Sequence, residues 1–246
     1  MIGRIEELNH LFNLYNNDSF EFLVMYGRRR IGKTTILQEF SEKTNSIFFP
    51  AREKNDALNL EDFSKIIQYH FDKQFYSSFS SWEDAFNYIS SKAHDKVSII
   101  IDEFPYIIEE NPSVKSILQH VIDHSWKQKN IFLILCGSSV SIMENDVMGR
   151  KSPLHDRQTS TLEIKPFDYY ESSGFFPEYN NIDKILAYGI LGGVPRYLEA
   201  FDSSKTIEQN IATRIIQNGS YLYEEPMNLL KAEVRETNIY NSILSA

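Results

Sequence analysis

Hydrophobic and polar positions along the chain follow two different periods. Five short runs are largely apolar: Phe20–Tyr26, Ser46–Pro50, Val97–Ile101, Ile131–Cys136 and Thr161–Ile164. They read as strands, and the β-branched run from Val97 is expected to be buried on both faces of a parallel sheet. Between them lie stretches with helical spacing: Glu6–Tyr15, with Leu8, Leu11, Phe12 and Tyr15 on one face, then Lys33–Glu42, Leu60–Phe71, Trp82–Lys92 and Pro112–Trp126. Such alternation predicts right-handed βαβ units, hence an α/β fold with a parallel sheet sandwiched by helices. After Pro166 the strand pattern stops. Asp168–Glu171, Asp183–Leu191, Lys205–Gln217 and Tyr221–Val234 are helical in pattern, with Pro226 expected to kink or reset the last. The expectation is a core over residues 1–166 and a smaller all-helical lid over 167–236. The run from Tyr240 to Ala246 reads as a helix start with no stop signal, so residues 237–246 are expected to open a further, truncated domain.

The turn after the first strand reads Gly27-Arg-Arg-Arg-Ile-Gly-Lys-Thr34, the Gly-x4-Gly-Lys-Thr phosphate-loop (P-loop) pattern between a strand and a helix. Its glycines let successive N–H groups curl around phosphate oxygens, and the next helix points its positive end at them. Gly27, Arg30, Ile31, Gly32, Lys33, Thr34 and Thr35 are therefore the expected phosphate contacts, with Lys33 on the outer phosphates and Thr34 on Mg²⁺. A glycine turn before a lysine-capped helix is the plain alternative, and the flanking strand and helix weigh against it.

The run from Val97 ends in Asp102-Glu103, beyond the carboxyl end of its strand, where parallel sheets place ligands. Asp102 is the natural partner of Thr34 at the metal. Glu103 is one residue further on, where a carboxylate orients and polarises an attacking water. A small-molecule kinase excludes water and usually lacks that second acid. A GTPase would carry an Asn/Thr-Lys-x-Asp guanine reader, which the chain does not contain. ATP with Mg²⁺, and hydrolysis, is the expected chemistry.

A net charge of −9 argues against a general electrostatic grip on nucleic acid, and Arg28, Arg29 and Arg30 read first as loop arginines at a phosphate site. The single cysteine, Cys136, excludes an internal disulfide, fits a reducing cytosol and reads as a core thiol. Charges near the N-terminus argue against a signal peptide, and no apolar run nears the length of a membrane span. A cytoplasmic protein is expected. His120 and His124 share a helix face but lack a third ligand, and His70 reads as a core histidine.

Taken together, these motifs resemble the archaeal-type ATPase family, a branch of the STAND class of signalling P-loop ATPases related to AAA+ proteins. The opening Ile2-Gly3-Arg4-Ile-Glu-Glu-Leu8 is similar to the family's first motif, which implies Ile2, Gly3 and Arg4 near the adenine. Trp82-Glu-Asp-Ala-Phe86 resembles its Trp-containing helix. Leu135-Cys-Gly-Ser-Ser139 resembles the sensor strand, implying that Ser138 or Ser139 feels the γ-phosphate. Gly192-Gly-Val-Pro195 with Arg196-Tyr197 resembles the Gly-x-Pro lid motif, implying Pro195 over the base. His155-Asp156-Arg157 departs from the Tyr-Gly-Arg of relatives: the arginine is kept, but a carboxylate that could compete for it replaces the glycine. Arg157 and Arg150 are the candidate charge stabilisers. Longer members continue into a winged helix and a nuclease-like region. The resemblance implies an ATP-hydrolysing switch that couples ATP or ADP occupancy to an output domain, a homo-oligomer being one of its partner states. The alternatives are a nucleotide-gated binding module with negligible hydrolysis, or a regulator that reaches DNA or a protein partner through the missing C-terminal domain.

Overall fold

Strands that are apolar on both faces need cover from two sides, and the structure supplies it. In the computed structural model, which describes residues 2–233, five strands form one parallel sheet. They are β1 (Glu21–Tyr26), β2 (Ser46–Pro50), β3 (Val97–Asp102), β4 (Ile131–Gly137) and β5 (Ser160–Glu163), in the spatial order β2-β3-β4-β1-β5. β3 and β4 are buried at every position. The register sets Leu23 of β1 beside Ile134 of β4 and Ser160 of β5.

Alternate side chains serve opposite faces. Phe22, Val24, Ile99, Ile101, Leu133 and Leu135 join one core. Its cover comes from α3 (Asp56–Asp72), α4 (Trp82–Lys92), α5 (Pro105–Glu110) and α6 (Val114–His124), which contribute Phe63, Trp82, Phe86, Ile107 and Leu118. Leu23, Met25, Ile100, Phe132, Ile134 and Cys136 face the other way. There they meet Leu11 of α1 (Ile5–Tyr15) and Ile36, Leu37 and Phe40 of α2 (Lys33–Glu42). A short α7 (Val140–Ile142) follows β4.

The order also locates a crevice. The connection leaving β1 crosses to β2 on one side of the sheet, and that leaving β4 crosses to β5 on the other. Beyond the carboxyl ends of these neighbouring strands, diverging loops leave room for a ligand.

Two helices differ from the apolar pattern for local reasons. α3 begins at Asp56 rather than Leu60, because the Asn55 side chain accepts from Leu58 N–H and caps an extra turn. α5 was not expected. It is one short helix opened by Pro105 in its first turn, too brief to show a period.

The helical unit consists of α8 (Tyr169–Ser173), α9 (Asn181–Leu191), α10 (Pro195–Leu198), α11 (Ile207–Asn210), a π-type segment over Ile211–Ile216, and α12 (Tyr221–Glu233). Phe167, Phe176, Ala187, Leu191, Leu198 and Phe201 form its own core. Asp168 and Thr206 open α8 and α11 with capping boxes. α12 carries on through Pro226, so the expected reset does not end the helix there.

The described residues divide at 165/166, and residues 2–3 group with 166–233 rather than with the core. The expected core of 1–166 is corrected accordingly. Gly3 lies so close to Phe167 that a Cβ on it would fall 2.7 Å from Phe167 Cε1. Val234 and the expected third domain at 237–246 lie outside the described residues. Among the described residues no helix is long and apolar enough to cross a membrane.

Candidate functional site

At the carboxyl end of β1 the chain enters a loop that only particular residues permit. Gly27 has φ 150°, Arg30 71° and Gly32 90°. A Cβ on Gly27 would stand 2.3 Å from the Ile164 carbonyl oxygen, so the first glycine is required by close approach as well as by φ. Ile31 anchors the loop in the core, 1% exposed. Gly32 then starts α2 with no side chain capping its N-terminal turn, which leaves helix N–H groups directed outward with the dipole's positive end. Thr34 and Thr35 are exposed on that turn.

Lys33 is buried at 5% exposure, and its ammonium donates to Gly27 O at 2.7 Å and Arg28 O at 2.9 Å. Burial pulls its pKa below the ordinary lysine value; Glu103 and Asp102 oppose that shift and Arg29 adds to it.

β3 delivers the acids to the same place. Asp102 is 3% exposed, and its Oδ2 accepts from Thr34 Oγ1 at 2.6 Å. Its Oδ1 accepts from Glu103 N–H at 3.0 Å. The Thr34 hydroxyl and Asp102 carboxylate are hard oxygen donors side by side, a set that fits Mg²⁺. The uncapped α2 turn beside Lys33 fits an oxyanion. Glu103 takes a left-handed backbone, φ 54°, an uncommon state for a non-glycine residue. Its Oε2 accepts from Ser138 N–H at 3.1 Å and from Ser138 Oγ at 2.9 Å. Ser138, just past the end of β4, and the second acid are thus in direct contact. Cys136, one residue before Gly137, is fully buried; burial raises its thiol pKa well above the ordinary value, so it remains a neutral core group.

Arg4 is 4% exposed and stitches the loop to the end of the core. Its Nη2 donates to Ile31 O at 3.1 Å and Lys165 O at 2.7 Å, and its Nη1 pairs with Glu7 at 2.7 Å. Within the helical unit, Ile2 approaches Gly174 and Gly3 approaches Phe167. Gly193 precedes Pro195 by two residues and presses on the Phe167 backbone, where a Cβ would lie 1.8 Å from its carbonyl oxygen. Pro195 opens α10.

Arg157 is placed elsewhere, and the expectation that it meets the phosphates is corrected. Its Nε and Nη2 donate to Asp123 Oδ2 at 3.0 and 2.8 Å, and Nη1 donates to His155 O at 3.0 Å. Thr159 N–H bonds Phe22 O at 2.8 Å, so this segment lies at the amino-terminal edge of the sheet. A six-residue strand, roughly 20 Å of rise, separates that edge from the phosphate loop. Burial raises the Asp123 pKa, but hydrogen bonds from Lys127 and Arg157 outweigh it and leave the carboxyl below its ordinary range. Asp156 has φ 60° and lies 3.3 Å from His155 Nε2, while Arg157 pairs with Asp123. Arg150 is exposed in a turn, and His70 is half-buried with its ring edge against Phe71 rather than in the core.

Sequence reasoning passed over Tyr106, whose hydroxyl accepts from Arg29 Nη2 at 3.3 Å. No motif marks it; its place three residues after Glu103 was the available signal.

A profile of ATPase domains predominantly from Archaea matches residues 1–201. An uncharacterised protein of Methanocaldococcus jannaschii is 34% identical over 245 residues, covering 100% of this chain and 53% of its own length. The chain therefore spans about half of that relative. An uncharacterised ATP-binding protein of the same organism is 39% identical over 51 residues, 19% of this chain and 86% of that protein. Among solved structures, a Walker-type ATPase of Pyrococcus abyssi matches with a TM-score of 0.65 at 19% identity, over 94% of this chain and 72% of its own. The Aeropyrum pernix ORC1 protein, solved in complex with DNA, matches at 0.55 and 16% identity over 86% and 59%. At these identities the likeness is one of fold.

Proposed function

From the premise that this chain belongs to the family of ATPase domains found predominantly in Archaea, we propose that it binds ATP with Mg²⁺ and hydrolyses it as a regulatory switch. One observation carries the reading: the 2.6 Å bond from Thr34 to Asp102, with Glu103 next in the chain at the same edge of the sheet. Lys33 and the α2 N-terminus hold the phosphates. Thr34 and Asp102 hold Mg²⁺, which when bound neutralises charge on the β- and γ-phosphoryl oxygens. Glu103 takes a proton from water as the water oxygen bonds to the γ-phosphorus. The bond from that phosphorus to the β–γ bridging oxygen breaks, and its electron pair leaves with ADP. A positioned base contributes about 10²–10⁴ in rate. The Ser138 N–H and hydroxyl hold the carboxylate in one orientation and would register whether a γ-phosphate is beside it.

The test is a pair of variants. Lys33→Ala loses ATP binding, whereas Glu103→Gln binds ATP and does not turn it over. Normal turnover by Glu103→Gln overturns its assignment as base. Single-turnover phosphate release separates a switch that hydrolyses from a binding module that does not. We also assign Arg4, which bonds the phosphate loop at Ile31 O, to the adenosine end, an assignment supported by the resemblance.

The fold shared with the DNA-bound ORC1 protein supports a second reading, a DNA-associated regulator. The net charge of −9 weighs against this stretch of chain gripping DNA by itself.

A further inference from the structure

We propose that Arg29, inside the phosphate loop, supplies in cis the positive charge on the γ-phosphoryl group, and that Tyr106 positions it. The proposal rests on the ATP reading above and names the residue that reading lacks, since Arg157 is tied to Asp123 at the far edge of the sheet.

Arg29 lies between Gly27 and Gly32, whose positive φ values curl the loop, and it is exposed there. Its Nη2 donates to the Tyr106 hydroxyl at 3.3 Å. Tyr106 lies in α5, and its own N–H bonds Glu103 O at 3.1 Å. The guanidinium is thereby leashed to the segment that carries the proposed base. On its other side, Lys33 Nζ bonds Arg28 O, the carbonyl of the peptide leading into Arg29. Arg29 is thus linked through Tyr106 to the backbone of Glu103 and through the Arg28 carbonyl to Lys33.

A 3.3 Å bond between exposed groups is a weak tether. It holds the side chain close yet readily gives way to phosphoryl oxygens, for which guanidinium is the better-matched partner. Charge on the γ-phosphoryl oxygens and the bridging oxygen rises as the bond to ADP breaks. Arg29 neutralises it without forming or breaking a covalent bond; the proton still goes to Glu103 and the electron pair to ADP.

The experiment compares Mg·ATP, Mg·ADP and tripolyphosphate binding by calorimetry, with single-turnover phosphate release, in the wild type, Arg29→Ala, Arg29→Lys and Tyr106→Phe. Arg29→Ala should keep ADP affinity within about twofold and lose about tenfold in ATP-over-ADP preference, the loss of one charge-assisted contact. Its single-turnover rate should fall by about 10³. Arg29→Lys should recover part of the ATP preference. Tyr106→Phe should slow turnover with ADP binding unchanged. Unaltered ATP preference and rate in Arg29→Ala overturn this proposal and leave the ATP reading standing. A wild type that binds ATP without hydrolysing it overturns the hydrolytic reading, and the affinity ratio then decides Arg29 alone. A wild type that binds neither ATP nor tripolyphosphate overturns both.

Discussion

Thr34 and Asp102 show how much a single contact constrains. A hydroxyl donating to a nearly buried carboxylate fixes both oxygens where one small hard cation could bridge to them. Thr34→Val should therefore lower the Mg²⁺-dependent gain in ATP affinity by about tenfold or more, with metal-free ATP binding little changed, as titration with and without Mg²⁺ would record. Arg157 makes the opposite case, a charged residue with a structural task. Its folded-state partner Asp123 has a lowered pKa, so their stabilisation is fully present above the unfolded carboxylate value near 3.9 and is lost as pH falls through the lowered one. Arg157→Ala should cost roughly 1 kcal/mol at neutral pH, discounted for partial exposure, with no effect on hydrolysis. In denaturant titrations the gap from wild type should close in acid. A large rate loss with unchanged stability would return Arg157 to the phosphate site.

At the scale of elements, the aromatic residues explain why α3 and α4 cover β2 and β3. Trp82 is 2% exposed, its ring lies 5.3 Å from Phe63 and 5.9 Å from Phe86, and its Nε1 donates to Asp56 Oδ1 at 2.7 Å. Trp82→Ala should destabilise the α/β unit by about 3–5 kcal/mol, since it empties a large site and orphans a carboxylate contact. Urea unfolding followed by far-UV dichroism would measure it. Gly193 sets a different limit: with the Phe167 carbonyl in the way of any Cβ, Gly193→Ala must shift backbone. A loss of roughly 2 kcal/mol or more is expected, confined to the helical unit and visible as early amide exchange there. β1 to β4 were legible because each is a largely apolar run, with the ends of β3 and β4 moved by one residue only, whereas β5, Ser160–Glu163, is mostly polar and sits one residue earlier than expected. α5 and the first turn of α3 were not legible. Pro105 in the first turn starts α5 and the Asn55 cap starts α3, and such start signals leave no periodic trace.

For the whole molecule, charge is the property that can be tested without knowing any partner. At −9, and with Arg28–Arg30 committed to one loop, this chain should show no salt-sensitive retention of duplex DNA near 0.15 M salt in anisotropy titrations. Tight binding with a steep salt slope would favour the DNA-associated reading. The two units each bury their own apolar core.

The sequence by itself determined the contiguous motifs and the hydrophobic periods. Gly27–Thr34 is contiguous, Asp102-Glu103 closes one strand, and the alternation of periods implies a parallel sheet; each is encoded within a few residues. Tertiary structure decided what depends on distant pairs: the order β2-β3-β4-β1-β5, the grip of Ser138 on Glu103, the grouping of Ile2 and Gly3 with the helical unit, and the capture of Arg157 by Asp123. A motif specifies which groups a segment can offer. Which groups meet is settled by the packing of segments far apart in the chain, and hydrophobic periodicity carries no record of that pairing.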